Sequence, residues 1–382
     1  MALDTETLTH LIDTVRRFVD ERLIPVEPRV EEENAIPPEI VREMRELGLF
    51  GLSIPEAHGG LGLSMAEEVE IAFALGRASP CFRSLIGTNN GIGSQGIIID
   101  GTAEQKAEWL PRLASGEVVG SFALTEPDVG SDAAAVALSA RSEGESYVLN
   151  GTKRYITNAP IAGLFTVMAR TDPSVRGAKG VSAFLVPSGT PGLIVSKPDR
   201  KMGQRGTLTA DVMFDDCRVP ASAIIGGVPG RGFATAMKVL DRGRLHIAAI
   251  CCAAASRLLD ESLAYARERK QFGQPIAEFQ LIQAMLAESR TELYAGTSMV
   301  RDAARERDAG QAVTLESSCC KLFCSEMVGR VADRAVQIHG GAGYMADYPV
   351  ERFYRDVRLF RLYEGTSQIQ QLIIAREMLK ES

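Results

Sequence analysis

The period of the sequence changes twice, and these two changes constrain the fold more than any other feature of this 382-residue chain. Up to about residue 120, apolar residues recur at helical spacing among charges, as in the stretch from Thr7 to Val30. Ser64-Met-Ala-Glu67 and Thr102-Ala-Glu-Gln105 have the form of capping boxes and predict two further helix starts. Between 121 and 232, short runs rich in β-branched and aromatic residues take over: Ser146–Asn150, Leu164–Met168 and Val181–Val186. Turn clusters such as Asn150-Gly151 and Pro187–Gly192 separate them, which predicts an antiparallel β-domain. From 233 to the end, long segments rich in Ala, Leu, Glu and Arg predict a bundle of about four helices. The expected class is α+β: an N-terminal α-helical domain (1–120), a middle antiparallel β domain (121–232) and a C-terminal four-helix bundle (233–382). No βαβ alternation is present, which argues against a doubly wound sheet.

Such a length exceeds one compact core and fits two or three packed domains. The net charge of −7 carries no basic surplus, so no nucleic-acid partner is expected. The N-terminus lacks a basic stretch followed by an apolar one, the mark of a secretory leader. The longest apolar run, near His246 to Ala255, falls short of the ~20 residues of a membrane span and reads as a buried helix. Seven cysteines, odd in number and without a CxxC, suit free thiols in a reducing compartment. A cytoplasmic protein without membrane association is expected. Four histidines without ligand spacing argue against a protein-bound metal.

Three segments look unlike scaffold: Phe122-Ala-Leu-Thr-Glu-Pro-Asp-Val-Gly-Ser-Asp132, Gly151-Thr-Lys-Arg-Tyr-Ile-Thr-Asn158 and Tyr363-Glu-Gly-Thr-Ser-Gln-Ile-Gln370. Each has a bland alternative. Thr125 and Ser131 fit turn and cap roles, Gly151-Thr-Lys fits a hairpin loop, and Glu364 fits a solvated charge before a helix capped by Thr366 or Ser367.

Taken together with Glu268-Arg-Lys-Gln-Phe-Gly273 leading to Gln280, and Gln337-Ile-His-Gly-Gly-Ala-Gly-Tyr344 followed by Pro349, they form an ordered set. In that set the chain resembles the acyl-CoA dehydrogenase family over nearly its whole length. The resemblance implies FAD as cofactor and an acyl-CoA thioester as substrate. It implies that Phe122, Leu124, Thr125, Gly130, Ser131, Tyr155, Ile156 and Thr157 surround the flavin. Tyr155 stands where many members carry Trp. It further implies that Arg269, Gln271, Phe272, Phe279 and Gln280 bind FAD from a neighbouring subunit. Gln337, Ile338, Gly340 and Gly341, with Thr366 and Gln368, would lie toward its adenosine side. Ser131, Asp241, Arg244, Tyr363 and Gly365 match substrate contacts.

Glu364 matches the catalytic base. It would take the α-proton while the β-hydrogen leaves as hydride to the flavin, giving a trans-2-enoyl-CoA. Burial against an apolar chain and a flavin ring would suit the carboxylate to proton abstraction. Some members carry the base near Asp241 instead; the position here is Gly243, which cannot act. The resemblance also implies a homo-oligomer, usually a tetramer built as a dimer of dimers, and an electron-transfer flavoprotein as acceptor. Rival readings within the family are an acyl-CoA oxidase, a lyase that keeps FAD without net redox, and a non-catalytic flavoprotein subunit.

Overall fold

A computed structural model describes residues 3–380. Seven helices come first: α1 (Thr5–Phe18), α2 (Ile24–Glu33), α3 (Pro38–Glu46), α4 (Met65–Leu75), α5 (Pro80–Asn90), α6 (Gln95–Asp100) and α7 (Ala103–Ala114). Both expected capping boxes form. Ser64 and Glu67 open α4, and Thr102 and Gln105 open α7, each satisfying backbone donors at both positions.

The seven strands are β1 (Gly120–Ala123), β2 (Ser139–Glu143), β3 (Ser146–Thr157), β4 (Leu164–Arg170), β5 (Val181–Pro187), β6 (Leu193–Val195) and β7 (Thr209–Pro220). They form one sheet, antiparallel at β2/β3, β3/β7, β4/β5 and β6/β7. β1 runs parallel to β4, because the β2–β3 hairpin intervenes and returns the chain in the same direction. Asn150-Gly151 does not end a strand. It lies inside β3 at a register shift between Leu149 and Gly151, where Gly151 has φ 140°. A Cβ there would stand 3.1 Å from Leu138, so the glycine serves a bulge and a close approach rather than a turn.

The remaining elements are helices apart from one short hairpin. Helix α8 (Gly232–Glu268) is followed by that hairpin, β8 (Lys270–Gln271) and β9 (Gln274–Pro275). Then come α9 (Gln280–Asp308), α10 (Thr314–His339), α11 (Pro349–Val357) and α12 (Ser367–Lys380). The run Leu245–Ala255 of α8 is buried throughout, packed against α4, α9, α10 and α11. Cys251, Cys252, Cys320 and Cys324 lie in this core as free thiols. Among the described residues no helix is long and apolar enough to cross a membrane.

Buried polar contacts tie the three parts together. Glu27 of α2 accepts from the Ser79 backbone N–H at 2.6 Å and from Arg352 of α11. Asp356 of α11 accepts from the backbone N–H of Gln204, in the loop before β7. On the other side, Asp308 of α9 accepts from the first two N–H groups of α4 at 2.9 and 2.8 Å.

Candidate active site

The loop after β1 is folded around one buried acid. Glu126 is 7% exposed; its carboxylate accepts from the N–H groups of Ala137 and Leu138 at 2.8 and 2.9 Å and from Lys153 Nζ at 2.8 Å. Lys153 also donates to the Leu124 carbonyl at 3.0 Å. Burial pulls this ammonium down to about 8 despite its ion pair. The clamp leaves Gly130 and Ser131 exposed and Phe122, Leu124 and Thr125 half-buried along one rim.

β3 delivers the second segment to the same rim. Ser121 donates to the Thr157 carbonyl at 2.7 Å, and Arg154 N–H to the Thr125 carbonyl at 2.8 Å. Tyr155 stands at φ 58°, in the left-handed region, at a second register shift in the β3/β7 ladder. That conformation turns its ring outward, 66% exposed, while Ile156 points into the sheet core. Asn158, also at positive φ, is buried and donates to the Ser84 carbonyl and to Thr88 of α5 at 3.0 and 2.9 Å. Its work is to fasten β3 to α5.

Next to Ser84, Arg83 carries the other half of the site. Its Nη2 stands 3.9 Å from Glu364 Oε1, and both side chains are nearly buried, at 8% and 11% exposure. Glu364 has φ 52° and is followed by Gly365 at φ 88°. This left-handed pair turns the carboxylate inward instead of leaving it solvated before α12. Its Oε2 is buried without a hydrogen-bond partner. A Cβ at Gly243 of α8 would lie 2.4 Å from that oxygen. Position 243 and the Glu364 carboxylate therefore compete for one space. Lys321 of α10, fully buried, donates to the Gly365 carbonyl at 2.6 Å. Gln370 donates to the carbonyls of Glu364 and Gly365 at 3.2 and 3.1 Å. Tyr363 packs on the helical core beside Phe360. The hydroxyl of Thr366 accepts from Ile369 N–H at 3.3 Å and so caps α12; Gln368 is exposed.

Asp241 and Arg244 form an ion pair one turn apart on α8. It is not a solvated surface pair, because Arg244 is 7% exposed. Asp241 also accepts from Thr314 at 3.0 Å.

The other matched residues stand apart. Arg269 and Gln271 lie exposed on the β8–β9 hairpin, whose turn residues Phe272 and Gly273 have φ 50° and 81°. Phe272 is 93% exposed and meets Phe279 edge-on at 5.9 Å; Gln280 is exposed. Gln337, in the last turn of α10, and Gly340 and Gly341 just after it are exposed, while Ile338 is buried. Ideal Cβ atoms on Gly340 and Gly341 would meet nothing within 4 Å, so their backbone is open to a ligand. Among the described residues no hydrogen bond or ion pair links these segments to the 122–157 rim.

An acid with an unpartnered buried oxygen, an outward aromatic ring and an open glycine backbone suit a flat cofactor with an anionic tail. Arg83 and Lys321 escaped the reading of the motifs, and Gln370 closed one of them without a role assigned to it. The signal for Arg83 was a lone charge in Pro80-Cys-Phe-Arg-Ser-Leu-Ile86.

Family profiles described as acyl-CoA dehydrogenase N-terminal, middle and C-terminal domains match residues 5–117, 121–217 and 230–379. The chain is 40% identical to the short-chain specific acyl-CoA dehydrogenase of Homo sapiens mitochondria, covering 98% of this chain and 90% of that one. It is 43% identical to the acryloyl-CoA reductase (NADH) of Anaerotignum propionicum, covering 96% and 92%. A solved structure described as the electron transferring flavoprotein of Acidaminococcus fermentans superposes with a TM-score of 0.95 at 34% identity, covering 100% of both chains.

Proposed function

The chain belongs to the acyl-CoA dehydrogenase family of FAD-dependent oxidoreductases, and from that premise we propose that Glu364 is its base in the α,β-dehydrogenation of an acyl-CoA thioester. The observation that carries this reading is the pairing of a left-handed backbone at Glu364 with a nearly buried carboxylate whose Oε2 has no partner. A solvated helix-opening charge needs neither feature. Gly243 supplies the space, and among the described residues the atoms nearest to a Cβ there all belong to the Glu364 carboxylate.

In this reading Lys321 and Gln370 hold the loop, and Glu364 takes the α-proton. The backbone N–H of Glu364 faces the thioester oxygen as negative charge develops. Bound FAD supplies the hydride acceptor. Thr125, Ser131, Tyr155 and Thr157 line its ring, and Asp241, Arg244 and Gly365 serve the CoA arm and thioester. Arg269, Gln271, Phe272, Phe279, Gln280 and the 337–341 segment serve a second copy of the chain, which makes the protein a homo-oligomer, in the family's usual form a tetramer. The exposure of Phe272, Leu281 and Tyr344, at 93%, 81% and 85%, supports this. The functional units are 1–120, 121–232 and 233–382. An electron-transfer flavoprotein is the proposed acceptor and the cytoplasm the proposed location.

A second reading runs the same site in reverse, Glu364 donating a proton to the α-carbon of an enoyl-CoA. The 43% identity to a named reductase favours it. Anaerobic titration of the purified flavoprotein separates the two. Loss of oxidised flavin absorbance with saturated acyl-CoAs, and formation of the 2-enoyl ester, supports dehydrogenation. Reoxidation of reduced flavin by enoyl-CoA, with no bleaching by the saturated ester, supports the reductase. Electron delivery to a flavoprotein acceptor without peroxide excludes an oxidase.

A further inference from the structure

We propose that Lys153 is a positioning residue for the flavin: its ammonium backs the Leu124–Thr125 peptide, whose N–H on the far side then holds the reduced ring more tightly than the oxidised one. The inference rests on the reading of the 122–157 rim as the wall of the flavin site.

Lys153 lies within β3 and is fully buried. A lysine ammonium is strongly hydrated, so its burial is costly unless partners replace the water. Both partners come from the loop after β1: Glu126 Oε1 at 2.8 Å and the Leu124 carbonyl at 3.0 Å. The two Glu126 oxygens are also occupied on their other side, by the N–H groups of Leu138 and Ala137 at 2.9 and 2.8 Å. The carboxylate is thus drawn toward the start of β2, while the ammonium stands on Leu124. The pair is neutral as a whole, with its positive end fixed against one peptide.

The Leu124 carbonyl and the Thr125 N–H belong to that same peptide unit. No peptide bond among the described residues is cis, so this N–H points away from the ammonium. The backbone on either side is tied down. The Thr125 carbonyl accepts from Arg154 N–H at 2.8 Å, and Glu126 and Val129 exchange two bonds at 2.9 and 3.2 Å. Among the described residues, neither the N–H nor the hydroxyl of half-buried Thr125 has a hydrogen-bond partner. A donor fixed in place and left unpaired suits a ligand. A cation on the carbonyl polarises the peptide and strengthens its N–H as a donor. Such a donor gains most from a ring rich in electrons, so it favours the reduced flavin. Fastening the loop alone would need Glu126 and the backbone bonds, not a charge on Leu124.

The test replaces the ion pair by a neutral one, Lys153→Met with Glu126→Gln, which leaves no buried charge unpaired. Apoprotein is titrated with oxidised FAD and, anaerobically, with reduced FAD; dye-coupled reduction gives the midpoint potential. The preference for reduced over oxidised FAD should fall about tenfold, which lowers a two-electron potential by about 30 mV. Lys153→Arg, which keeps the charge, should recover part of it. Equal weakening of both redox states overturns the inference and leaves the rim as the flavin site. Unchanged affinity for both overturns the rim as well. If circular dichroism shows that the neutral pair does not fold, the same preference is followed with pH in Glu364→Gln, which removes the other acid of the site. Facing Lys153 is Glu126; the neighbouring Arg154 is paired with Asp211 of β7. The preference should fall as pH rises through about 8, where Lys153 loses its proton, and a constant preference overturns the inference.

Discussion

The two ends of the proposed site differ in how much of them a single chain completes. Around Glu364 everything is supplied internally: Lys321 and Gln370 on the backbone, Gly243 opening the space, Arg83 and His246 beyond. Around Phe272 almost nothing is supplied. The aromatic ring is 93% exposed on a hairpin turn with two positive φ values, and Gly340 and Gly341 face open space. In the proposed reading the base is thus preorganised by the fold, whereas the adenosine side awaits FAD and a second copy.

Substitutions at the closed end should change chemistry without loss of cofactor. Glu364→Gln keeps the shape and removes the base, so flavin reduction by substrate should slow by about 10²–10⁴-fold with FAD retained. Stopped-flow absorbance measures both. At the open end the reverse should hold. Arg269→Ala and Phe272→Ala alter exposed positions whose effect on monomer stability should stay within about 0.5 kcal/mol. Flavin retention should nevertheless weaken about tenfold, together with the oligomer, as read by flavin content across gel filtration. Unchanged flavin content and size would break the comparison.

Lys321→Met sharpens it from inside. The ammonium donates to the Gly365 carbonyl behind the base, and burial holds its pKa below the ordinary value. Loosening the loop should lower kcat about tenfold with KM and flavin content little changed. The smallest effect concerns the link between the parts. Burial pushes Asp356 from 3.8 to about 7, so the folded state binds a proton more tightly than the unfolded chain. Its contribution is fully present below 3.8 and is lost as pH rises through about 7. The melting temperature should therefore fall across that interval, and Asp356→Asn should flatten the slope, as followed by circular dichroism.

What the sequence reveals depends on how local each signal is. The capping boxes join residues three apart and are legible in the chain itself. The change from helical to strand period is equally local, and it outlined the helix–sheet–helix order. Asn150-Gly151 misleads because a bulge and a turn ask for the same residues; only Leu138, brought close by pairing with β2, tells them apart. The motif around Glu126 was visible, but its task was not, since its partner Lys153 arrives from another strand. Glu364 was singled out through resemblance, and only the fold shows its left-handed backbone and unpartnered oxygen. Arg83 was not, because a charge in an apolar run gains meaning only when folding sets it against a carboxylate near the far end of the chain.

The central claim is that Glu364 carries the α-proton, and proton exchange tests it without relying on turnover. The FAD-loaded protein is incubated anaerobically in D2O with an acyl-CoA, and deuterium at the α-carbon is read by mass spectrometry. The wild type should incorporate deuterium, while Glu364→Gln, with its FAD still bound, should leave the α-carbon protiated. Incorporation by that variant at the wild-type rate would contradict the assignment.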